Sequence, residues 1–177
     1  MRKLKNAELH RIDIQSYKKA VKTPLIIVLA DVRSMHNVGS IFRTADAFLI
    51  QKIYLCGITA TPPHRDIQKT ALGATESVDW AFAPSATALI AALKADGVRL
   101  VAVEQLENAT PLPAYQPDSN RSTALIFGHE VKGVSQKLAD RCEAGIEIPQ
   151  FGTKHSLNIA VAVGIVLWDL FSKMQRR

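Results

Sequence analysis

The chain has 177 residues, of which 47% are hydrophobic and 21% are charged. This balance is typical of a globular domain and excludes a disordered, collagen-like or disulfide-rich chain. The formal net charge is +6, and most of it lies in residues 1–22, which carry seven basic side chains against two acidic ones. A basic arm of this kind favours a polyanion such as RNA, although a solvated helix would have the same composition.

Several further classes have no support in the sequence. The two cysteines, Cys56 and Cys142, form no CxxC pair, and no set of metal-ligand residues has a metal-binding spacing, so we predict no metal site. The N-terminus is basic and lacks the apolar segment of a signal peptide. The longest apolar run, residues 159–168, is too short to span a bilayer. We therefore expect a cytoplasmic protein without a membrane partner.

Short β-branched runs alternate with helical stretches along the chain. Residues 25–29 form a continuous apolar run typical of a buried parallel strand, and Ser34 or Asn37 is suited to cap the helix that follows. Further strands are predicted at 52–56, 78–82, 99–103, 124–127 and 145–148, with a helical turn at 67–72, helices at 85–95 and 135–142, and a loop at 107–122. This alternation indicates one three-layer, mainly parallel α/β domain over residues 23–177, preceded by a basic helical arm at residues 1–22.

The C-terminal helix is predicted to begin at Ser156 as its N-cap. Its buried stripe would consist of Leu157, Ala160, Val161, Gly164, Ile165, Trp168 and Phe171. Other apolar residues widen this stripe, so burial within the domain is the default and a subunit interface is the expected addition. Asn158 would lie inside this apolar helix, where a polar amide is costly unless it finds a partner.

Polar clusters lie at three junctions where a strand should meet a helix, which is where open α/β sheets bind ligands. The first contains Asn37 and Arg43, the second Gly128 and Glu130, and the third Ser156 and Asn158. Arg43 offers a charged planar fork suited to phosphate, but taken alone it is also compatible with a solvated side chain, as Asn37 alone is with a helix cap. Glu130 is compatible with a helix-end stabiliser, a hydrogen-bond anchor or an acid–base group. No nucleotide-binding glycine motif and no hydrolase elbow occurs.

Together the clusters resemble the SpoU (TrmH-like) branch of the SPOUT superfamily of RNA methyltransferases. The resemblance runs from about residue 25 to 171 and is carried by three ordered motifs, NVGSIFRTADAF at 37–48, LIFGHEVKGVS at 125–135 and IPQFGTKHSLNIAVA at 148–162. Position 129 departs from the pattern, because such proteins more often have Asn or Ser where this chain has His.

The resemblance implies an α/β fold whose C-terminal segment forms a trefoil knot, S-adenosylmethionine as cofactor, and a homodimer that uses the C-terminal helix. It implies methyl transfer to a ribose 2′-OH of structured RNA, with tRNA favoured over rRNA. The implied catalytic residues are Arg43, Asn37, Glu130, Ser156 and Asn158, and the implied cofactor-binding residues are Glu104, Gln105, Gly128, Ile148 and Leu157. Arg43 would polarise the phosphate–hydroxyl pair as much as accept a proton, because its pKa is very high.

Two other classes of function stay open at this point. One is an RNA-binding protein that keeps the fold without activity, and the intact set of polar motif residues counts against it. The other is a structural dimerisation module whose polar junctions are only helix caps, which leaves Asn158 and the basic arm without a purpose.

Overall fold

A seven-stranded sheet in which every adjacent pair of strands is parallel forms the centre of the molecule. The computed structural model describes residues 1–175. Strands lie at Thr23–Ala30 (β1), Ile50–Cys56 (β2), Trp80–Ala83 (β3), Arg99–Val103 (β4), Thr110–Pro111 (β5), Thr123–Phe127 (β6) and Ala144–Glu147 (β7), in the spatial order β3-β2-β1-β6-β4-β7-β5. The parallel α/β class predicted from the alternation of elements is confirmed.

Helices cover both faces of this sheet. They lie at Ile14–Lys19 (α1), Met35–Ala47 (α2), Arg65–Ala71 (α3), Ala74–Ser77 (α4), Ala86–Ala95 (α5), Gln136–Ala139 (α6) and Ile159–Gln175 (α7), after a short 3₁₀ turn at Asn6–Leu9. Residues of α1, α2, α3, α4 and α7 share one apolar core, and residues of α5 and α6 share the other. The side chains of β1 alternate between the two cores, with Ile27 in the first and Val28 in the second. The result is the predicted three-layer arrangement.

The N-terminal arm is seated on the first layer. The side chain of Tyr17 in α1 is only 3% exposed and belongs to the core that α2 and α7 share. The Lys18 ammonium lies 2.5 Å from a carboxylate oxygen of Asp79. Lys22 donates to the Tyr17 carbonyl, and its ammonium lies 3.6 Å from the centre of the Tyr17 ring. The second half of the arm therefore has a fixed position against the domain.

The C-terminal helix begins two residues later than predicted, at Ile159. Ser156 is not its cap. Asn158 precedes the first helical residue, and its side-chain oxygen accepts from the backbone N–H of Ala160 at 2.9 Å and of Val161 at 3.4 Å. The expectation that Asn158 lies within an apolar helix is wrong for the same reason: the residue is the N-cap, where Asn is among the most favourable residues.

The buried face of α7 also differs from the predicted stripe. Its buried residues are Ile159, Val163, Val166, Leu167 and Leu170. Three of them, Val163, Val166 and Leu167, are the apolar residues that were expected to widen the stripe. The predicted stripe is instead largely exposed, with Val161 51%, Ile165 38% and Trp168 60% accessible. Because the helix is apolar on most of its circumference, its periodicity fits two faces equally well, and only the position of the sheet decides between them.

Smaller differences concern the connections. Residues 65–77 form two short helices rather than one helical turn, and the predicted loop at 107–122 contains the two-residue strand β5. The helix predicted at 135–142 is reduced to Gln136–Ala139. Ser34, one of the two cap candidates, is the N-cap of α2, and Asn37 lies within the first turn of that helix. The C-terminal knot stays a prediction.

Candidate active site

A cavity of about 320 Å³ opens at the carboxyl ends of β4, β6 and β7, and we call it the strand-end cavity. The loops after β4 and β6 and the segment between β7 and α7 form its walls. All five residues predicted to bind the cofactor line it, together with two of the predicted catalytic residues: Glu104, Gln105, Gly128, Ile148, Leu157, Glu130 and Ser156. The polar clusters of the second and third motifs therefore converge on one site, as expected where parallel strands end.

The loop after β6 owes its shape to two glycines. The backbone N–H of His129 donates to the Gly133 carbonyl at 3.1 Å, and the N–H of Gly133 donates back to the His129 carbonyl at 2.8 Å. A Cβ atom on Gly128 would lie 2.0 Å from the Gly133 oxygen, and Gly133 itself has a φ of +65°. Both positions thus require glycine, the first for close backbone approach and the second for a left-handed conformation.

Side chains of the loop after β4 tie the walls together. A carboxylate oxygen of Glu104 accepts from the backbone N–H of Val134 at 2.8 Å. The side-chain amide of Gln105 donates to the carbonyl of His155 at 2.8 Å. These contacts join β4 to the loop after β6 and to the segment before α7.

A hydrogen-bonded chain connects the three motifs at the edge of this cavity. The side-chain amide of Asn158 donates to the Asn37 side-chain oxygen at 3.2 Å, and the Asn37 amide donates to Glu130 at 3.4 Å. The carboxylate of Glu130 also accepts from the backbone N–H of Arg33 at 3.0 Å and of Ser34 at 2.9 Å. Residues far apart in sequence are thereby held at the start of α2.

The environment of Glu130 decides among its possible roles. Partial burial acts to raise the pKa of its carboxyl group, but the hydrogen bonds from Arg33, Ser34 and Asn37 outweigh that effect and lower the pKa below its ordinary value. Glu130 is therefore a carboxylate at neutral pH. It is suited to orient Asn37 and the start of α2 and unsuited to donate a proton.

Arg43 lies apart from this chain of contacts. Its exposed side chain lines a second cavity, of about 710 Å³, between the N-terminal arm, α2 and the α3–α4 region, which we call the arm cavity. Six residues separate Arg43 from Asn37, which places the two on different faces of α2. Within one chain the structure brings together four of the five predicted catalytic residues and leaves Arg43 on another surface.

Some contributors to the site were not predicted from the sequence. The backbone N–H groups of Arg33 and Ser34 are the main partners of Glu130, and Glu147 lines the strand-end cavity. The imidazole Nδ1 of His129 accepts from the N–H of Val131 at 3.0 Å. The sequence did contain a signal for the contact between Glu130 and Ser34. Ser34 was predicted as a helix cap, and the start of a helix has free N–H groups that can donate to a carboxylate.

Neither a metal cluster nor a membrane-spanning helix is formed by the described part of the chain. No group of three or more His, Cys, Asp or Glu side chains in residues 1–175 is arranged to hold a metal ion. In the same residues, no helix has both the length and the apolar character needed to cross a membrane.

Burial raises the pKa of the Cys56 thiol to about 12 and that of Cys142 to about 11, so both are unreactive thiols at neutral pH.

A parallel sheet with a cavity at its strand ends is the arrangement in which open α/β proteins bind their ligands. The SpoU rRNA methylase family matches residues 24–168, and the chain belongs to that family. It is 27% identical over 144 residues to the 23S rRNA (guanosine-2′-O-)-methyltransferase RlmB of Neisseria meningitidis, covering 81% of this chain and 56% of that one. The chain spans about 56–63% of the length of the curated relatives that it matches.

Solved structures have the same fold. The AdoMet-bound rRNA methyltransferase of Sinorhizobium meliloti superimposes with a TM-score of 0.78 at 29% identity, covering 90% of this chain and 59% of that one. A structure concerned with 2-OH methylation of C/U34 on tRNA gives a TM-score of 0.77 at 25% identity and covers 86% of this chain and 97% of that one.

Proposed function

We propose that this chain transfers a methyl group from S-adenosylmethionine to a ribose 2′-OH of structured RNA, and that tRNA is the favoured substrate. The observation that carries the proposal is the hydrogen-bonded chain from Asn158 through Asn37 to Glu130 beside the strand-end cavity. It connects all three motifs at one edge of a ligand-sized space. A structural module would need helix caps at these junctions but no contacts between them.

The strand-end cavity fits the proposed cofactor. Three carboxylates, those of Glu104, Glu130 and Glu147, lie in its walls and suit a ligand that carries a sulfonium and an amino group. Bound there, S-adenosylmethionine would supply the electrophilic methyl group. Gly128, Ile148 and Leu157 would hold the ligand through their backbones, and Glu104 and Gln105 would keep the loops closed around it.

The remaining residues would act on the RNA. Formation of the new C–O bond would break the S–C bond of the methyl donor and requires loss of the 2′-OH proton, which Arg43 or the adjacent RNA phosphate would take up. Asn37, Asn158 and Ser156 offer neutral donors and acceptors that would orient the ribose. The Arg43 guanidinium would polarise the phosphate–hydroxyl pair as much as accept the proton.

The preference for tRNA is supported by one neighbour. The structure concerned with tRNA methylation is matched over 97% of its length, whereas the rRNA enzymes are matched over little more than half.

A homodimer through α7 is part of the proposal. Val161, Ile165 and Trp168 form an exposed apolar stripe at helical spacing, which a monomer would leave in water. A partner helix on this stripe would also place the Arg43 of one subunit where it could serve a site that includes the other. Sedimentation equilibrium should give a dimer for the unaltered chain and a monomer for Ile165→Glu. A monomeric unaltered chain would contradict this part.

The activity is tested by transfer of labelled methyl from S-adenosylmethionine to total tRNA and, separately, to rRNA, followed by nuclease digestion and nucleoside analysis. We expect a labelled 2′-O-methylnucleoside from tRNA. Arg43→Ala should abolish the transfer and leave cofactor binding unchanged, while Arg141→Ala, just after α6 across the sheet, should change neither. No label from either RNA, with the cofactor bound, would favour an inactive RNA-binding protein.

A further inference from the structure

The arm cavity is larger than the strand-end cavity and has no role in cofactor binding. Its walls come from residues 10–17 of the arm, the second half of α2 and the α3–α4 region. The polar side chains among its lining residues are His10, Arg11, Asp13, Tyr17, Arg43, Asp46 and Ser77. Its volume of about 710 Å³ falls within the usual range for ligand sites.

The charges of this cavity are unequally available to a ligand. The Asp13 carboxylate accepts from the backbone N–H of Ser16 at 2.8 Å and from its hydroxyl at 3.1 Å, and the Asp46 carboxylate accepts from the Ser77 hydroxyl. By contrast, the guanidinium groups of Arg11 and Arg43 make no hydrogen bond or ion pair within residues 1–175. Both carboxylates already accept hydrogen bonds, whereas the donors of both guanidinium groups are unused, so a phosphate that enters this cavity meets two free guanidinium groups.

Arg11 lies opposite α2 because the arm is anchored just after it, where the buried Tyr17 and the Lys18–Asp79 pair fix α1. The Arg2–Glu8 ion pair, at 2.7 Å, stays within the arm itself. Three of the seven basic side chains of the arm, those of Arg2, Lys18 and Lys22, have partners within the protein. Arg11 is a positively charged arm residue left free to face the same cavity as Arg43.

We infer that the arm cavity binds the phosphodiester backbone of the substrate RNA between Arg11 and Arg43. The inference rests on the proposed function, because it takes RNA as the substrate, and it assigns the arm a defined subsite. A guanidinium group binds a phosphate with two parallel hydrogen bonds, and two such groups facing one cavity fix the position of the strand. Phosphate contacts of this kind set register and orientation rather than base specificity.

The test is the salt dependence of binding to unfractionated tRNA, measured for Arg11→Gln against the matched control Lys3→Gln, which removes one arm charge outside the cavity. We expect Arg11→Gln to raise Kd by about three- to tenfold at 0.1 M salt and to reduce the slope of log K against log salt by about 0.7–0.9, the value of one phosphate contact. Lys3→Gln should change both much less. Cofactor affinity and melting temperature should stay unchanged in both variants.

A double variant tests the shared subsite. If Arg11 and Arg43 hold the same stretch of backbone, the loss in Arg11→Gln/Arg43→Gln should be smaller than the sum of the two single losses in free energy. Equal effects of Arg11→Gln and Lys3→Gln, or full competition by polyglutamate at equal charge, would overturn the inference. Arg11-dependent binding without methyl transfer would instead overturn the proposed activity and leave the subsite in place.

Discussion

Replacing Gly128 by alanine tests the architecture of the strand-end cavity most directly. The added Cβ would lie 2.0 Å from the Gly133 oxygen and 2.3 Å from the Val134 nitrogen, and both are backbone atoms that cannot rotate away. Ordinary van der Waals contact needs about 3.4 Å or more, so one side of the loop must move by more than about 1 Å. That movement would disturb the His129–Gly133 backbone pair and the Glu104–Val134 hydrogen bond.

The expected magnitude follows from those contacts. Overpacking of this kind costs about 1–3 kcal/mol, and partial loss of the three disturbed hydrogen bonds adds about 1 kcal/mol in all. We expect Gly128→Ala to lower the free energy of unfolding in urea by about 2–4 kcal/mol and to weaken cofactor binding at least tenfold in calorimetry.

Gly152→Ala is the matched control, because Gly152 lies in the loop after β7 and a Cβ there meets no atom within 4 Å. This variant should bind the cofactor and unfold like the unaltered chain. Normal stability and normal cofactor affinity in Gly128→Ala would refute the reasoning that close backbone approach shapes the cavity.

Two further variants test contacts outside the glycine loop. Glu130→Gln should lower the free energy of unfolding at pH 7 by about 1–3 kcal/mol, because one oxygen that accepts a backbone N–H becomes a donor. Since the pKa of Glu130 is lowered in the folded state, its carboxylate contributes fully to stability above about pH 4.3, and this contribution is lost as the pH falls through the folded-state pKa. The unfolding free energies of the variant and the unaltered chain, measured in urea, should therefore converge in acid, and a constant difference would contradict this account. The Lys173 ammonium donates to the carbonyls of Leu112 at 2.7 Å and Tyr115 at 3.0 Å, so Lys173→Met should lower the free energy of unfolding by about 2–4 kcal/mol. Lys137 is exposed, and Lys137→Met should lower it by less than about 0.5 kcal/mol. Equal losses in the two variants would show that the Lys173 contacts do not stabilise the fold.

The sequence predicted the sheet well because a buried parallel strand has a distinctive pattern. Residues 25–29 are a continuous apolar run, and the structure places them inside β1 with alternate side chains in two cores. The convergence of Gly128, Glu130 and Ser156 on one cavity was also predictable, since parallel strands end at the same edge of a sheet.

The errors have identifiable physical causes. The sequence could not predict which face of α7 packs on the sheet, because this helix is apolar on nearly all of its circumference. The start of α7 was misplaced because Ser156 and Asn158 are both good caps, and only the contact with Asn37 favours the second. The separation of Arg43 from Asn37 follows from their spacing on α2, but the cavity that Arg43 lines depends on where the arm packs, and the burial of Tyr17 that fixes the arm leaves no periodic signal in so short a helix.

The cap of α7 restricts which residue can stand at position 158. Its oxygen accepts from the first amides of the helix while its nitrogen donates to Asn37, so one side chain supplies both an acceptor and a donor at separate atoms. Aspartate would cap the helix equally well but has no hydrogen to give, and serine would have to serve both partners through one oxygen. Asn158→Asp therefore separates two properties that other substitutions change together: the helix should keep its length and stability, while the third motif loses its hydrogen bond to the first.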